Sequence, residues 1–267
     1  MSKVIAITGA ARGIGFATAR ALKAKGATVA IGDIDETAAK EAGEKLGVAA
    51  FTVDVTSRDS FTAFLDAVES EVGPLDVLVN NAGIMPIGPV TEESDADARR
   101  CLDINVHGVM LGTKLALGRM TPRGRGHIIN IASLAGVLPT PGLALYNASK
   151  AAVILFTDAT RLEVQSTGVH VSAVLPTFTN TELIAGTQSP KGQKNCEPED
   201  IAAAVVELIG TPRPQVAVPR KLGRQAKLGA LFPDRFKQAI SRRYGLDKIF
   251  LEYDADARKS YDARIRG

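Results

Sequence analysis

Short apolar runs alternate with longer amphipathic stretches over most of the chain. Seven runs are rich in Val, Ile and Ala, as expected of strands buried on both faces; they are residues 3–8, 28–33, 49–53, 75–79, 126–132, 169–175 and 215–218. Between most of them, apolar residues recur every three to four positions, which is typical of helices with one buried face. This alternation predicts an α/β fold, a doubly wound parallel sheet of seven strands flanked by helices.

Two of the predicted helices, residues 92–102 and 105–119, lie between the fourth and fifth strands. Asn105 opens the second, although Asn is locally unfavourable in a helix. We expect its side chain either to face water or to replace a helix hydrogen bond and bind a water molecule.

A glycine-rich turn follows the first strand. Gly9, Gly13 and Gly15 are spaced G-x-x-x-G-x-G, and an Ala-rich helix follows them. Glycines let the backbone approach a pyrophosphate, and a helix N-terminus presents free N–H groups and partial positive charge to it. The turn therefore predicts the phosphate-binding corner of a dinucleotide site.

Asp33 ends the second strand, where a carboxylate can accept hydrogen bonds from the hydroxyls of an adenosine ribose. The same charge repels a 2′-phosphate, so we expect NAD rather than NADP. Arg12, in the glycine turn, argues for NADP because it could hold that phosphate. Asp35 is better placed than Asp33 to cap the next helix.

The fourth strand runs into a small polar turn, residues 80–83, at the strand end where open parallel sheets bind ligands. Farther along, residues 177–197 form a polar segment interrupted by Gly and Pro. A loop of that length is unusual without a function, and we expect it to cover or bind a ligand.

Tyr146 and Lys150 stand four residues apart in a segment with helical periodicity, so both point from one helix face. A neighbouring cation favours the phenolate and lowers the pKa of a tyrosine. Ser133 follows an apolar strand, where its hydroxyl can hold a carbonyl or alcohol oxygen. The three side chains predict acid–base chemistry on a C–O bond.

Taken together, these motifs resemble the short-chain dehydrogenase/reductase family over about residues 3–219. The residues that carry the resemblance are, in order, Thr8, Gly9, Gly13, Ile14, Gly15, Asp54, Asn80, Asn81, Ala82, Gly83, Asn105, Ser133, Tyr146, Lys150, Pro176 and Thr181. The resemblance implies a single-domain Rossmann fold that oxidises alcohols or reduces carbonyls with a nicotinamide cofactor. It also implies a homodimer or homotetramer.

By this resemblance, Tyr146 is the general base in oxidation and the acid in reduction. Lys150 lowers its pKa and binds the nicotinamide ribose, Ser133 positions the reacting oxygen, and Asn105 anchors a proton-relay water. The expected cofactor contacts are Gly9, Arg12, Gly13, Ile14, Gly15, Asp33, Ile34, Asp54, Val55, Asn81, Ala82, Gly83, Tyr146, Lys150, Pro176, Thr179 and Thr181. The family commonly has Gly after the proline at position 176, whereas this chain has Thr177.

The expected substrate contacts are largely apolar: Ser133, Leu134, Leu143, Tyr146 and Phe178, within a wall that also includes Leu138, Pro139, Pro141, Leu183 and Ile184. They favour a lipophilic secondary alcohol or ketone, such as a steroid, retinoid or fatty-acyl derivative. Two alternatives remain open. One is an NADPH-dependent ketone or 3-oxoacyl-type reductase, and the other is a non-catalytic dinucleotide-sensing protein.

Composition narrows the class of protein further. A net charge of +3 over 267 residues gives no global case for nucleic-acid binding. Cys101 and Cys196 lack metal-ligand spacing, and we expect no metal and two reduced thiols in a cytoplasmic protein. The strand-like start argues against a signal peptide, and no apolar run is long enough to span a membrane.

The remaining segment, residues 220–267, is a predicted helical extension of the catalytic domain at residues 1–219. Residues 220–243 hold eight basic residues and one acid, which leaves the rest of the chain at about −4. Pro233 divides this stretch into two short helices that mix basic and apolar positions. Such a stretch favours peripheral contact with an anionic membrane, a cover over the pocket, or a subunit contact.

Overall fold

Seven parallel strands form the central sheet of the computed structural model, which describes residues 3–192, 194–229 and 233–266. In chain order they are β1 Val4–Thr8, β2 Thr28–Asp33, β3 Ala49–Thr52, β4 Val77–Asn80, β5 Gly126–Ile131, β6 Val169–Pro176 and β7 Gln215–Val218. Their spatial order is β3-β2-β1-β4-β5-β6-β7, and every neighbouring pair is parallel. The predicted doubly wound Rossmann fold is confirmed.

Helices cover both faces of the sheet. They are α1 Gly13–Ala24, α2 Glu36–Leu46, α3 Arg58–Glu71, α4 Asp95–Leu102, α5 Gly108–Met120, α6 Ala144–Glu163, α7 Pro198–Gly210, α8 Arg220–Gly229, α9 Asp234–Tyr244 and α10 Ala255–Arg266. Alternate residues of β1 point to opposite layers: Ile5 and Ile7 pack with α1, α2 and α7, while Val4 and Ala6 pack with α3 and α5.

The two helices predicted on either side of residue 104 form one continuous helical path. A π-helical turn, Asp103–His107, joins α4 to α5 and contains Asn105. Such single turns often occur at functional sites. The inward contacts of Asn105, described below, account for the local departure from α-helical geometry.

Beyond β7 the chain forms the three helices α8, α9 and α10. Helix α8 packs on the core through Leu222 and Ala226. Pro233 precedes α9, as the sequence predicts, while Leu231 and Phe232 of the basic stretch lie outside the described residues. Within the described part of the chain, no helix is both long and apolar enough to cross a bilayer.

Candidate active site

One long cleft of about 860 Å³ runs along the carboxyl ends of the strands. It lies where the strand order reverses, beside β1 and β4, which is where open parallel sheets bind ligands. All predicted catalytic residues, cofactor contacts and substrate contacts line this cleft except Gly15 and Asn105; the two prolines of the predicted wall are described below. The sheet thus brings together residues that are up to 172 positions apart, from Gly9 to Thr181.

The glycine turn is shaped by close backbone approaches. Gly9 has a φ of 61°, and a Cβ there would lie 2.6 Å from the Ala82 Cα atom. A Cβ on Gly15 would lie 2.5 Å from the Gly9 carbonyl oxygen, so Gly15 serves packing of the turn rather than lining the cleft. Asn81 Nδ2 donates to the Gly9 oxygen over 2.8 Å and fixes the turn from the other side.

The start of α1 is free to meet an anion. Its N-cap residue, Arg12, makes no side-chain capping hydrogen bond, and its first residues, Gly13 and Ile14, line the cleft. The open glycine cradle and this helix end fit the pyrophosphate of a dinucleotide.

Asp33 and Arg12 are held by different partners. Asp33 Oδ2 accepts from the Ala11 N–H over 3.1 Å, and Oδ1 accepts from the Asp35 N–H over 3.2 Å. Arg12 instead pairs with Asp35, Nη2 to Oδ2, over 2.8 Å. The N–H of Ala38 and the Arg12 guanidinium together lower the pKa of Asp35. Asp35 also caps α2, as predicted.

The far end of the cleft suits an adenosine group. Ile34 lines it with 69% of its surface exposed, an unusual position for a large apolar side chain. Asp54 is held by Thr56, whose N–H donates to its Oδ1 over 2.9 Å. Val55 completes this end, so apolar faces flank the hydrogen-bonding carboxylate of Asp33.

Ser133, Tyr146 and Lys150 meet at the opposite end. Ser133 follows β5, and its Oγ accepts from the Ala135 N–H over 3.1 Å and donates to the Pro176 oxygen over 3.3 Å. Tyr146 and Lys150 both project from α6 and are buried.

Burial shifts both α6 groups toward their neutral forms. It raises the pKa of Tyr146, against the smaller lowering effect of the Ser133 hydroxyl. It lowers the pKa of Lys150 to about 8. Lys150 Nζ donates to the Ile131 oxygen over 2.9 Å and lies 5.6 Å from the centroid of the Tyr146 ring. That Lys150 lowers the tyrosine pKa during turnover stays a prediction.

Asn105 is fully buried, so the expectation that it faces bulk water is wrong. Its Oδ1 accepts from the Ile84 N–H and its Nδ2 donates to the Ile84 oxygen, both over 2.8 Å. Nδ2 also lies 3.1 Å from the Ser149 Oγ. A Cβ built on Gly83 would lie 3.1 Å from Asn105 Oδ1 and 3.5 Å from Lys150 Nζ. Asn105 therefore fixes the backbone beside Lys150.

The substrate end is apolar and includes residues that the sequence did not indicate. Leu134, Leu138, Leu143, Phe178, Leu183 and Ile184 line the cleft as predicted, whereas Pro139 and Pro141 do not. Met85, Leu246, Phe250 and Tyr261 were missed. The Phe178 and Phe250 rings stack with centroids 5.5 Å apart. Two sequence features could have indicated Phe250 and Tyr261: the apolar pair Ile249–Phe250, and a tyrosine within an otherwise charged C-terminal segment.

Comparisons with known proteins define the class. The family model for short chain dehydrogenase matches residues 3–192, and this chain belongs to that family. A cis-4-hydroxycyclohexanecarboxylate dehydrogenase from Sinomonas cyclohexanicum is 38% identical over 77% of this chain and 88% of the relative. A 3-alpha-(or 20-beta)-hydroxysteroid dehydrogenase from Mycobacterium tuberculosis is 38% identical over 68% of this chain and 71% of the relative.

A solved 3-ketoacyl-(acyl-carrier-protein) reductase from Brucella melitensis, complexed with NADH, superimposes with a TM-score of 0.75 at 27% identity. The match covers 81% of this chain and 96% of that one. Fold, motifs and relatives together make this chain an oxidoreductase that acts on CH–OH groups with a nicotinamide cofactor.

Proposed function

We propose that this enzyme is an NAD-dependent dehydrogenase that interconverts a lipophilic secondary alcohol and its ketone. The observation that carries the proposal is the cleft itself, which joins the buried Ser133, Tyr146 and Lys150 to Asp33 through one apolar channel. A hydride carrier and an apolar alcohol can share such a space.

In oxidation, Ser133 holds the alcohol oxygen while the Tyr146 phenolate oxygen takes its proton. Because burial raises the pKa of this phenol, it needs positive charge nearby to act as a base. Lys150, with a pKa of about 8, is largely cationic at neutral pH and supplies that charge. The bound nicotinamide supplies the hydride acceptor or donor. Asn105 keeps the Ile84 backbone and the neighbouring Gly83 in place beside Lys150.

Two ionic details favour NAD over NADP. Asp33 places a carboxylate where the adenosine ribose is expected, and each of its oxygens retains acceptor capacity. Arg12 is engaged by Asp35, so it is not poised to hold a 2′-phosphate. Both details support NAD as the cofactor of this enzyme.

The apolar walls support a ring alcohol as substrate. Met85, Leu143, Tyr146, Ile249 and Phe250 form one buried cluster at this end of the cleft. Two relatives are named for a hydroxycyclohexanecarboxylate and for hydroxysteroids, compounds that carry a secondary alcohol on a hydrocarbon ring. Retinoid and fatty-acyl alcohols belong to the same lipophilic class. Activity confined to sugars or small polyols would contradict this choice.

The first experiment is thermal unfolding of the purified protein with NAD, with NADP or with neither. A ligand that binds only the folded state raises the melting temperature by mass action. The chain has no Trp, so a dye or calorimetry provides the signal. We expect a shift with NAD that exceeds the shift with NADP. A shift with NADP alone would place the NADPH-dependent ketone or 3-oxoacyl reductase first.

Two association properties are proposed as well. Leu155 and Leu162 lie seven residues apart on α6 and are 72% and 56% exposed, which supports a homodimer or homotetramer. Light scattering of the protein and of a Leu155→Lys variant tests this.

Contact with anionic membranes is supported by Lys221, Arg224 and the 62%-exposed Leu228 of α8. Equal co-sedimentation with neutral and anionic vesicles would contradict that contact.

A further inference from the structure

Tyr261 is a second tyrosine in the cleft, contributed by the last helix, α10. Only 3% of its surface is exposed, and it lines the cleft together with Tyr146. Its phenol oxygen accepts a hydrogen bond from the Met85 N–H over 2.9 Å. Among residues 3–192, 194–229 and 233–266, the structure gives its own proton no acceptor. A buried O–H donor is thus left to meet whatever occupies the cleft.

The surroundings of Tyr261 favour donation. Guanidinium carbons lie 4.6 Å (Arg258) and 5.4 Å (Arg264) from the centroid of its ring. Burial nevertheless raises the pKa of Tyr261 to about 12, so the phenol keeps its proton at neutral pH. A neutral phenol beside two cations is a strengthened hydrogen-bond donor and an unsuitable base.

The position of this donor is fixed from both sides of the cleft. Arg258 is fully buried and donates to the oxygens of Leu183 and Ala185 over 2.8 and 3.2 Å. It also donates to the Met85 oxygen and pairs with Asp262 over 3.0 Å. The phenol is therefore held in place before a ligand binds, which limits the entropy cost of using it.

We propose that Tyr261 is a specificity-determining residue that donates a hydrogen bond to a second oxygen of the substrate, remote from the reacting C–O group. The substrate class is then a secondary alcohol or ketone on an apolar ring that also carries an acceptor, such as a carbonyl, ether or carboxylate oxygen. Tyr146 serves the reacting oxygen, and Tyr261 holds the remote one. This inference rests on the proposed function.

The test compares alcohols that differ only at the remote atom. One pair is 4-methoxycyclohexanol and 4-ethylcyclohexanol, in which an ether oxygen replaces a methylene; a second pair is a 3α-hydroxysteroid with a 17-ketone or a 17-methylene group. We expect the wild-type enzyme to prefer the oxygen-bearing member of at least one pair by three- to tenfold in kcat/KM, the effect of about one buried hydrogen bond. Tyr261→Phe should bring that preference close to one.

Matched measurements separate this role from structure and from the proposed function. Tyr253→Phe changes a tyrosine of the same C-terminal segment that does not line the cleft, and it should keep the wild-type preference. Cofactor-induced thermal shifts should be the same in all three proteins. Turnover of the ethyl or methylene compounds by the wild type establishes the proposed function independently. No preference in the wild type for either pair, or a preference retained in Tyr261→Phe, would overturn the inference, whatever the stability of the variant.

Discussion

The cofactor end and the substrate end of the cleft are built in different ways. Gly9, Asp33 and Asn81 lie within the first third of the chain, at strand ends whose backbone geometry restricts the residue type. The substrate end joins Met85 to Tyr261, which is 176 positions away. Turn geometry and strand ends leave a signal in a short stretch of sequence, whereas a contact between distant segments leaves none until the chain is folded.

The largest expected effect lies where the two ends meet. Tyr146→Phe removes the proton-transfer oxygen but keeps the ring within its buried apolar cluster. We expect turnover to fall by roughly 10²–10⁴-fold, the usual contribution of a positioned acid or base, with little change in the NAD-induced thermal shift. Steady-state kinetics and thermal unfolding measure the two quantities. Wild-type turnover in this variant would exclude Tyr146 as the base.

Arg258→Met tests how far the substrate end depends on the C-terminal helix. The change leaves the Met85, Leu183 and Ala185 oxygens without their buried donor. We expect a loss of about 3 kcal/mol in unfolding free energy and a raised KM for substrate, because α10 no longer fixes Met85 and the loop after β6. NAD affinity should change much less.

Lys259→Met is the matched control, because Lys259 is the exposed neighbour of Arg258 on the same helix. It should cost no more than about 0.5 kcal/mol. Equal losses in the two variants would mean that α10 contributes nothing specific to the substrate end.

The same contrast explains what could be predicted from the sequence. The strand positions and the glycine turn follow from local patterns, and the site residues they predict line the cleft, with the exception of Gly15. The inward turn of Asn105 was not predictable, because it depends on the Ile84 backbone 21 positions away. Pro139 and Pro141 are apolar like the rest of the predicted wall, but they do not line the cleft. Phe250 was missed because its stacking partner, Phe178, lies in another segment.

Lys150 lies where the cofactor end and the substrate end of the cleft meet, and the pH dependence of stability tests its pKa there. Its pKa is about 8 when folded and near its ordinary value of 10.5 when unfolded. Between these values the unfolded chain binds the extra proton, so this group makes the folded state more stable as pH rises through the window. We expect the unfolding free energy of the wild type, relative to Lys150→Met, to increase by roughly 2–3 kcal/mol from pH 7 to pH 10. Denaturant unfolding at each pH measures it.

If the difference in unfolding free energy between the wild type and Lys150→Met stayed constant from pH 7 to pH 10, Lys150 would have an ordinary pKa in the folded protein. A difference that falls with pH would mean that a bound anion or the tyrosine phenolate holds the lysine in its charged form.

The smallest expected effect concerns the cofactor end alone. Asp35→Ala removes the α2 cap and releases Arg12 from its ion pair. The lost cap should cost about 1 kcal/mol of stability. The freed guanidinium should improve NADP binding severalfold while Asp33 still favours NAD. The ratio of NAD affinity to NADP affinity should therefore fall but stay above one. Titration of each cofactor by calorimetry measures the ratio.

Ser57→Ala separates the cap from the ion pair, because Ser57 caps α3 in the same manner without contacting Arg12. It should lose similar stability and leave the NAD-to-NADP ratio unchanged. If Asp35→Ala also left the ratio unchanged, Arg12 would have no part in cofactor choice, and selectivity at this end would rest on Asp33 alone. In that case Asp33→Asn should lower the NAD-to-NADP affinity ratio by about tenfold. That result would assign the choice between the two cofactors to the Asp33 carboxylate at the end of β2.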